Sequence, residues 1–214
     1  MTSTKTRGPY AKTAERKASI AEAALEIIRE SGHRTLVVAD VARRAGVSER
    51  TLFYHFPTRD HLLVAALERV DELSQAEVEA QYAAVPDDLE RLVELLTGSI
   101  SGEPWKAALT VALNGHAQEP EHPAHDYFVG HYARAINGFG QILRARQAAG
   151  LAHPDLDVNG VARRVVAVWD GLQAQWLVTP NFVLAKEVTA AFRQLSGQNV
   201  MEFRQVLDDL GAGV

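Results

Sequence analysis

Ala45-Gly46-Val47-Ser48-Glu49-Arg50-Thr51-Leu52-Phe53-Tyr54-His55-Phe56 decides the fold of this chain, because it reads as a tight turn running into a short aromatic-rich helix. Just upstream, Val38-Ala39-Asp40-Val41-Ala42-Arg43-Arg44 places Val38, Val41 and Ala42 on one helical face, and Ala45 continues that face one turn on. Gly46 supplies the backbone freedom that a sharp turn between two helices needs. Ser48 suits the N-cap of the second helix, since its hydroxyl accepts a hydrogen bond from an otherwise unpaired first-turn amide. Leu52 and Phe56, four apart, then face inward, while Glu49, Arg50, Phe53 and Tyr54 face outward. Two helices joined in this way make a helix-turn-helix, whose second helix enters the major groove of DNA.

The segment ahead of the motif fits the same unit. Thr13 to Ser31 carries an apolar stripe at Ile20, Ala24, Ile27 and Ile28 and stops at Gly32, a usual C-terminal stop residue. From Val41 to Leu62 the residues Val41-Ala42, Ala45-Gly46-Val47-Ser48, Thr51-Leu52, His55-Phe56, Arg59 and Leu62 stand at fixed offsets. This pattern resembles the TetR family of bacterial transcriptional regulators. The resemblance implies an all-α protein with an N-terminal three-helix helix-turn-helix DNA-binding domain over residues 1–60 and a larger helical-bundle domain over residues 61–214. It further implies that the bundle holds a small-molecule effector and dimerises through its last two large helices. Two positions depart from the family pattern. Phe53 stands where a DNA-facing tyrosine is usual, so it has no hydroxyl for a phosphate. Leu36 and Val37 stand where polar residues usually start the second helix and touch phosphate, leaving Thr35 or Arg34 as nearby substitutes.

With 214 residues and 47% hydrophobic content, the chain has enough apolar material for one or two globular cores. No apolar run approaches the roughly 18 to 20 residues needed to span a bilayer, and Met1 to Lys17 is polar and basic rather than signal-like, so a cytoplasmic location is expected. The absence of cysteine excludes disulfides, thiol nucleophiles and thiolate metal sites. The net charge of −5 hides a segregation: residues 1–60 hold eleven Lys and Arg against seven Asp and Glu, and the remainder eleven against twenty. Only the first segment, at +4, suits a polyanion. Lys5, Arg7, Lys12, Arg16 and Lys17, against the single Glu15, suggest a flexible basic arm ahead of the first helix that adds backbone or minor-groove contacts, or else a merely solvated N-terminus.

Beyond the motif the chain reads as successive helices. Arg59 to Val85 has apolar positions 63, 66, 67, 70, 73 and 78; Asp87 to Ile100 and Trp105 to Gln118 follow, broken by Gly102-Glu103-Pro104. Ala124 to Ala149 precedes Val158 to Val178, in which Val158, Ala162, Val165, Trp169, Leu172 and Trp176 are spaced by fours and threes. Phe182 to Leu195 and a final helix with Phe203, Val206, Leu207 and Leu210 complete the chain. The broad apolar surface of the 158–195 pair suits a homodimer interface or the completion of the monomer core.

A two-fold axis would set two recognition helices about 34 to 36 Å, or a multiple, apart, which calls for a palindromic double-stranded DNA operator. Arg50 is the expected base reader, since guanidinium pairs bidentately with guanine, and Tyr54 follows one turn later. Glu49 either accepts from a cytosine amine or favours the helix N-terminus. Thr51, His55, Arg59, Arg43 and Arg44 are phosphate candidates by reach and donor type, and Ser48 and Phe53 complete the expected DNA-facing set. For a small, partly apolar effector the expected lining is Trp105, Leu109, Leu113, Asn114, His116, Tyr127, His131, Trp169, Asp170, Gln173 and Trp176, though most of these also suit a core or dimer contact. A metal or hydrolytic site from His116, His122, His125, Asp126 and His131 lacks ligand spacing on one helical face. No Gly-rich phosphate loop or nucleophile elbow is present, so the expectation is a regulator without cofactor or metal, not an enzyme. A DNA-binding activator or architectural regulator without an effector is the alternative, with a metal-dependent helical enzyme more remote.

Overall fold

The computed structural model describes residues 9–82, 93 and 102–211, and every regular element among them is helical. Helices α1 (Pro9–Ser31), α2 (Val38–Arg44), α3 (Glu49–His55) and α4 (Arg59–Tyr82) come first, with a 3-10 turn at His33–Thr35 between α1 and α2. Then follow α5 (Pro104–His116), α6 (Ala124–Ala148), α7 (Val158–Val178), α8 (Leu184–Leu195) and α9 (Gln198–Gly211). Proline begins both α1 and α5, where its missing N–H would have no helical partner anyway. Apart from Val93, the expected helix at 87–100 lies outside what is described, as do the end of the 59–85 helix, the side chain at 78, Lys5 and Arg7.

The described residues fall into two compact units: Met1–Glu79 with Ala108–Tyr127, and Ala80–Ala107 with Phe128–Val214. In the first, Ile20, Ala24, Ile27 and Ile28 of α1 are buried as the stripe requires, together with Val41, Ala42 and Leu52 from the motif and Leu62, Leu63, Ala66, Leu67 and Val70 from α4. Full burial of each valine, leucine or isoleucine among these contributes about 1.5 to 3 kcal/mol. Helix α1 packs against α2 and the 3-10 turn, and α2 against α3. Arg69 of α4 donates to Glu22 of α1 at 3.0 Å, and the Tyr127 hydroxyl donates to Asp71 at 2.7 Å. The first unit therefore extends past residue 60 because α4 supplies much of the apolar cover for the reading motif.

Two expectations need correction here. Helix α1 starts at Pro9, so Lys12, Arg16 and Lys17 ride on a helix rather than on a flexible arm. Leu73, counted on the apolar face of α4, is 44% exposed.

The second unit is built around Val93, Ala107, Leu143, Val161, Ala162, Val165, Leu184, Val188 and Phe192. Helix α7 is capped by the Asp157 carboxylate, which accepts from the Gly160 amide at 3.1 Å. It packs on α8, and α8 on α9. The α7 residues Val161, Ala162 and Val165 and the α8 residues Leu184, Val188 and Phe192 are buried in the unit's own core, so much of the apolar surface of the 158–195 pair closes the monomer. The longest bare stripe lies on α9, where Val200, Phe203, Val206, Leu207 and Leu210 are each at least half exposed; Val129, Val178 and Val183 are exposed elsewhere in the unit. The polar side of α9 is tied down. Arg146 donates to Gln198 at 2.7 Å, Gln198 to Glu202 at 2.8 Å, and Arg193 to both oxygens of Glu202 at 2.8 and 2.7 Å.

Candidate nucleic-acid interface

The turn that aims the recognition helix is built from two reciprocal sets of backbone bonds. Gly46 has φ 66°, its N–H reaches the Arg43 carbonyl at 3.2 Å, and the Val47 N–H reaches the Ala42 carbonyl at 3.0 Å. This is a Schellman closure, which satisfies the last carbonyls of α2 and reverses the chain. Ser48 then sits in extended conformation and its Oγ accepts from the Thr51 amide at 3.2 Å, as the sequence suggests. The Thr51 hydroxyl lies 2.9 Å from the Ser48 hydroxyl. Leu52 is fully buried and Phe56 nearly so, which fixes the rotation of α3.

With that rotation set, Glu49, Arg50, Phe53 and Tyr54 face solvent, Tyr54 with 82% of its surface exposed. Among the described residues Arg50 carries no hydrogen bond or ion pair, so its five N–H donors are available to a ligand. His55 is half-buried and its ring meets Tyr54 edge-on at 5.1 Å. Its pKa is held below the usual imidazole value, by burial first and then by the charges of Lys17 and Arg16. The basic residues of α1 are thus within electrostatic reach of the C-terminal end of α3. Sequence reasoning assigned them to a mobile arm, and the Pro9 start was the signal that placed them on a helix.

The remaining arginines divide by employment. Arg43 pairs with Asp40 at 2.7 Å, both exposed, a contact weak enough to exchange for a phosphate. Arg44 makes two parallel bonds to Glu30, at 2.7 and 2.8 Å, and lies 3.6 Å from Glu26, so it braces α2 against α1. The same contact holds the Glu30 carboxyl below its usual pKa. Arg59 sends Nε to the Leu36 carbonyl at 3.1 Å and Nη2 to the carbonyls of His33 and Arg34, the latter at 3.3 Å. Its guanidinium closes the loop ahead of α2.

That loop is where the chain departs from the family pattern. Val37 occupies the N-cap of α2 with no side-chain hydrogen bond and is 53% exposed, while Leu36 is buried. Thr35 does not replace the missing cap, because its hydroxyl turns back to the Ser31 and Gly32 carbonyls, 3.0 Å from each. The Arg34 side chain is exposed.

The expected effector lining splits between the units. Leu109, Leu113 and Tyr127 are buried in the first, with Asn114 half-buried and His116 exposed. Trp105, His131, Trp169, Asp170, Gln173 and Trp176 belong to the second. There Tyr132, which was not among the expected residues, donates its hydroxyl to Asp170 at 2.8 Å, and the Trp169 indole donates to the buried Gln173 at 3.2 Å. Burial pushes the Asp170 pKa up; the Tyr132 bond and the His131 charge oppose this. The structure brings together His116 and His122, whose rings stack at 5.1 Å, but the His122 Nδ1 accepts from the Ala124 amide and its Nε2 lies 3.4 Å from Asp60. His125 Nδ1 bonds the Ala117 carbonyl at 2.9 Å. Among the described residues no three His, Cys, Asp or Glu side chains form a group that could hold a metal ion, and no helix is long and apolar enough to cross a membrane.

The profile of bacterial regulatory proteins of the tetR family matches residues 20–66. The chain is similar to the HTH-type transcriptional repressor KstR of Mycolicibacterium smegmatis, 36% identical over 187 residues that cover 86% of this chain and 88% of that protein. It is also similar to the nucleoid occlusion factor SlmA of Vibrio cholerae, at 26% identity over 75% of this chain and 83% of that protein. Among solved structures, a transcriptional regulator of Saccharomonospora viridis in complex with choline superposes with a TM-score of 0.63 at 26% identity, covering 85% of this chain and 94% of that one.

Proposed function

The chain belongs to the TetR family of bacterial transcriptional regulators, and from that membership we propose that it acts as a homodimeric repressor, released from a palindromic operator by a small, partly apolar molecule. The observation that carries the DNA-reading half is the outward face of α3. Arg50 is uncommitted beside the exposed Tyr54, on a helix whose angle is set by the Gly46 closure and the Ser48 cap. Arg50 reads base edges, most naturally guanine O6 and N7, and Tyr54 reaches base or backbone. Thr51, His55 and Arg43 meet phosphate, with Lys17 and Arg16 near His55, and Glu49 supports the helix start. Functionally the boundary stays at residue 60, with the remainder serving regulation and pairing.

The regulatory half draws on the second unit. A half-buried carboxyl with a raised pKa, bonded by Tyr132 and beside Trp169 on α7, offers both a polar anchor and apolar surface to a ligand. The relative solved with choline holds a small molecule on the same fold. The bare stripe of α9 supports pairing of two copies. Footprinting on the DNA flanking the protein's own gene tests the reading. A protected palindrome that is lost on adding a small molecule supports it, and no protection at low salt by folded protein refutes it. The similarity to a nucleoid occlusion factor favours a second reading, a DNA-binding regulator without an effector, and protection that survives every compound of a broad metabolite panel selects it.

A further inference from the structure

Helix α2 begins without a cap of its own. Val37 at the N-cap offers the leading amides no side-chain acceptor, Thr35 is turned away, and the Asp40 amide turns to the Val37 carbonyl at 3.1 Å. The chain just ahead, from His33 to Leu36, is instead gripped from another helix. Arg59 stands at the first position of α4, 23 residues beyond Leu36, and Thr58 before it lies 2.8 Å from the His61 ring and 3.4 Å from the His61 amide, which fixes the start of α4. From that fixed base the planar guanidinium reaches three carbonyls, those of His33, Arg34 and Leu36. A lysine could not make this pattern, because an ammonium is a point charge without a rigid fork.

We propose that Arg59 is a positioning residue rather than a phosphate contact: its fork holds the loop carbonyls just ahead of α2, sets where α2 stands, and through the α2–α3 turn sets the pose of the recognition helix. The inference rests on the DNA-reading function of α3 but makes a separate claim about the loop.

The test uses the full-length protein, a duplex of the DNA flanking its own gene, and native amide exchange across residues 36–42. Arg59→Ala and Arg59→Lys should both speed exchange in the first turn of α2 by about tenfold or more and weaken duplex binding by about tenfold, while the slope of log affinity against log salt stays at the wild-type value. The proposal is overturned if Arg59→Lys keeps wild-type affinity and protection. It is also overturned if Arg59→Ala leaves exchange unchanged and lowers the salt slope by about 0.9, the signature of one lost phosphate contact. A wild-type protein that binds no duplex would count against the DNA reading alone, because the exchange measurement judges the clamp without DNA.

Discussion

Replacing Gly46 with alanine isolates one energetic effect in the reading motif. A Cβ built at Gly46 meets no atom within 4 Å, so the substitution creates no clash. The cost therefore comes from φ 66° alone, a left-handed conformation that an L side chain pays for with about 1 to 2 kcal/mol. Alanine also restricts the unfolded chain, which returns about 0.4 to 1 kcal/mol. The net expectation is a loss of about 1 kcal/mol. Asparagine tolerates the left-handed region better, so Gly46→Asn should lose distinctly less. Urea unfolding of both variants at matched protein concentration gives the stability, and fluorescence anisotropy with the operator duplex gives the function. Alanine indistinguishable from glycine would mean that the turn is not held in the left-handed region. Alanine and asparagine both losing about 3 kcal/mol or more would mean a steric conflict that the open surroundings of Gly46 exclude. If the turn relaxes its strain by re-aiming α3, affinity for the operator should fall by more than the stability loss accounts for, whereas non-specific DNA should be held almost as well.

Four other outcomes follow from side chains already placed. Arg50→Ala should cost about 1 to 3 kcal/mol of operator binding and relax preference at one base position, checked by binding to a set of single-base operator variants; a uniform loss across the set would remove Arg50 as a base reader. The His55 pKa is depressed in the free protein by burial, Lys17 and Arg16, and DNA phosphates oppose those charges, so binding should take up a proton and tighten as pH falls below about 6.5. His55→Gln should flatten that dependence. Asp170 has its pKa raised by burial, so the folded state holds its proton more tightly than the unfolded chain and stability from this group is lost as pH rises through its folded pKa. Asp170→Asn, which can still accept from Tyr132, should therefore raise the melting temperature at pH 7, and a lower value would show that the charged form is the favoured one. Leu207→Glu on the bare stripe of α9 should shift the sedimentation of the protein toward monomer and weaken operator binding with it.

The reading motif was legible because its geometry is local. A glycine, a serine and a leucine–phenylalanine pair four apart act on neighbours within a few residues, and the Gly46 closure, the Ser48 cap and the buried Leu52 stand as their spacing requires. Arg44 and Arg59 were not legible in the same way. Their partners lie 14 and 23 to 26 residues away, and a long cationic side chain gives no sign in sequence of whether it meets a phosphate, a carboxylate or a backbone carbonyl. The late helices show a third limit. Periodicity identified the apolar face of α7 and α8 but not what covers it: Ala162, Val165, Leu184, Val188 and Phe192 lie in the core, whereas Val158, Trp169, Leu172 and Trp176 stay half-buried and α9 carries a further exposed stripe.

The joint between α8 and α9 fixes more than a bend. Gly197 has φ 70°, and a Cβ there would meet the His153 Cβ at 3.0 Å, so backbone and space both restrict this position to glycine. The Ser196 carbonyl is held by the His153 amide at 3.0 Å, which leaves the joint little room to rotate. Each residue of a helix turns the next by about 100°. Inserting or deleting one residue after Gly197 would therefore turn α9, stripe and Gln198–Glu202 face together, by more than a quarter of a circle against Arg146 and Arg193, which hold its polar side. The joint thus acts as a phase setting for α9, and over evolutionary time point substitutions along the stripe should be far better tolerated than a single change in the length of this connection.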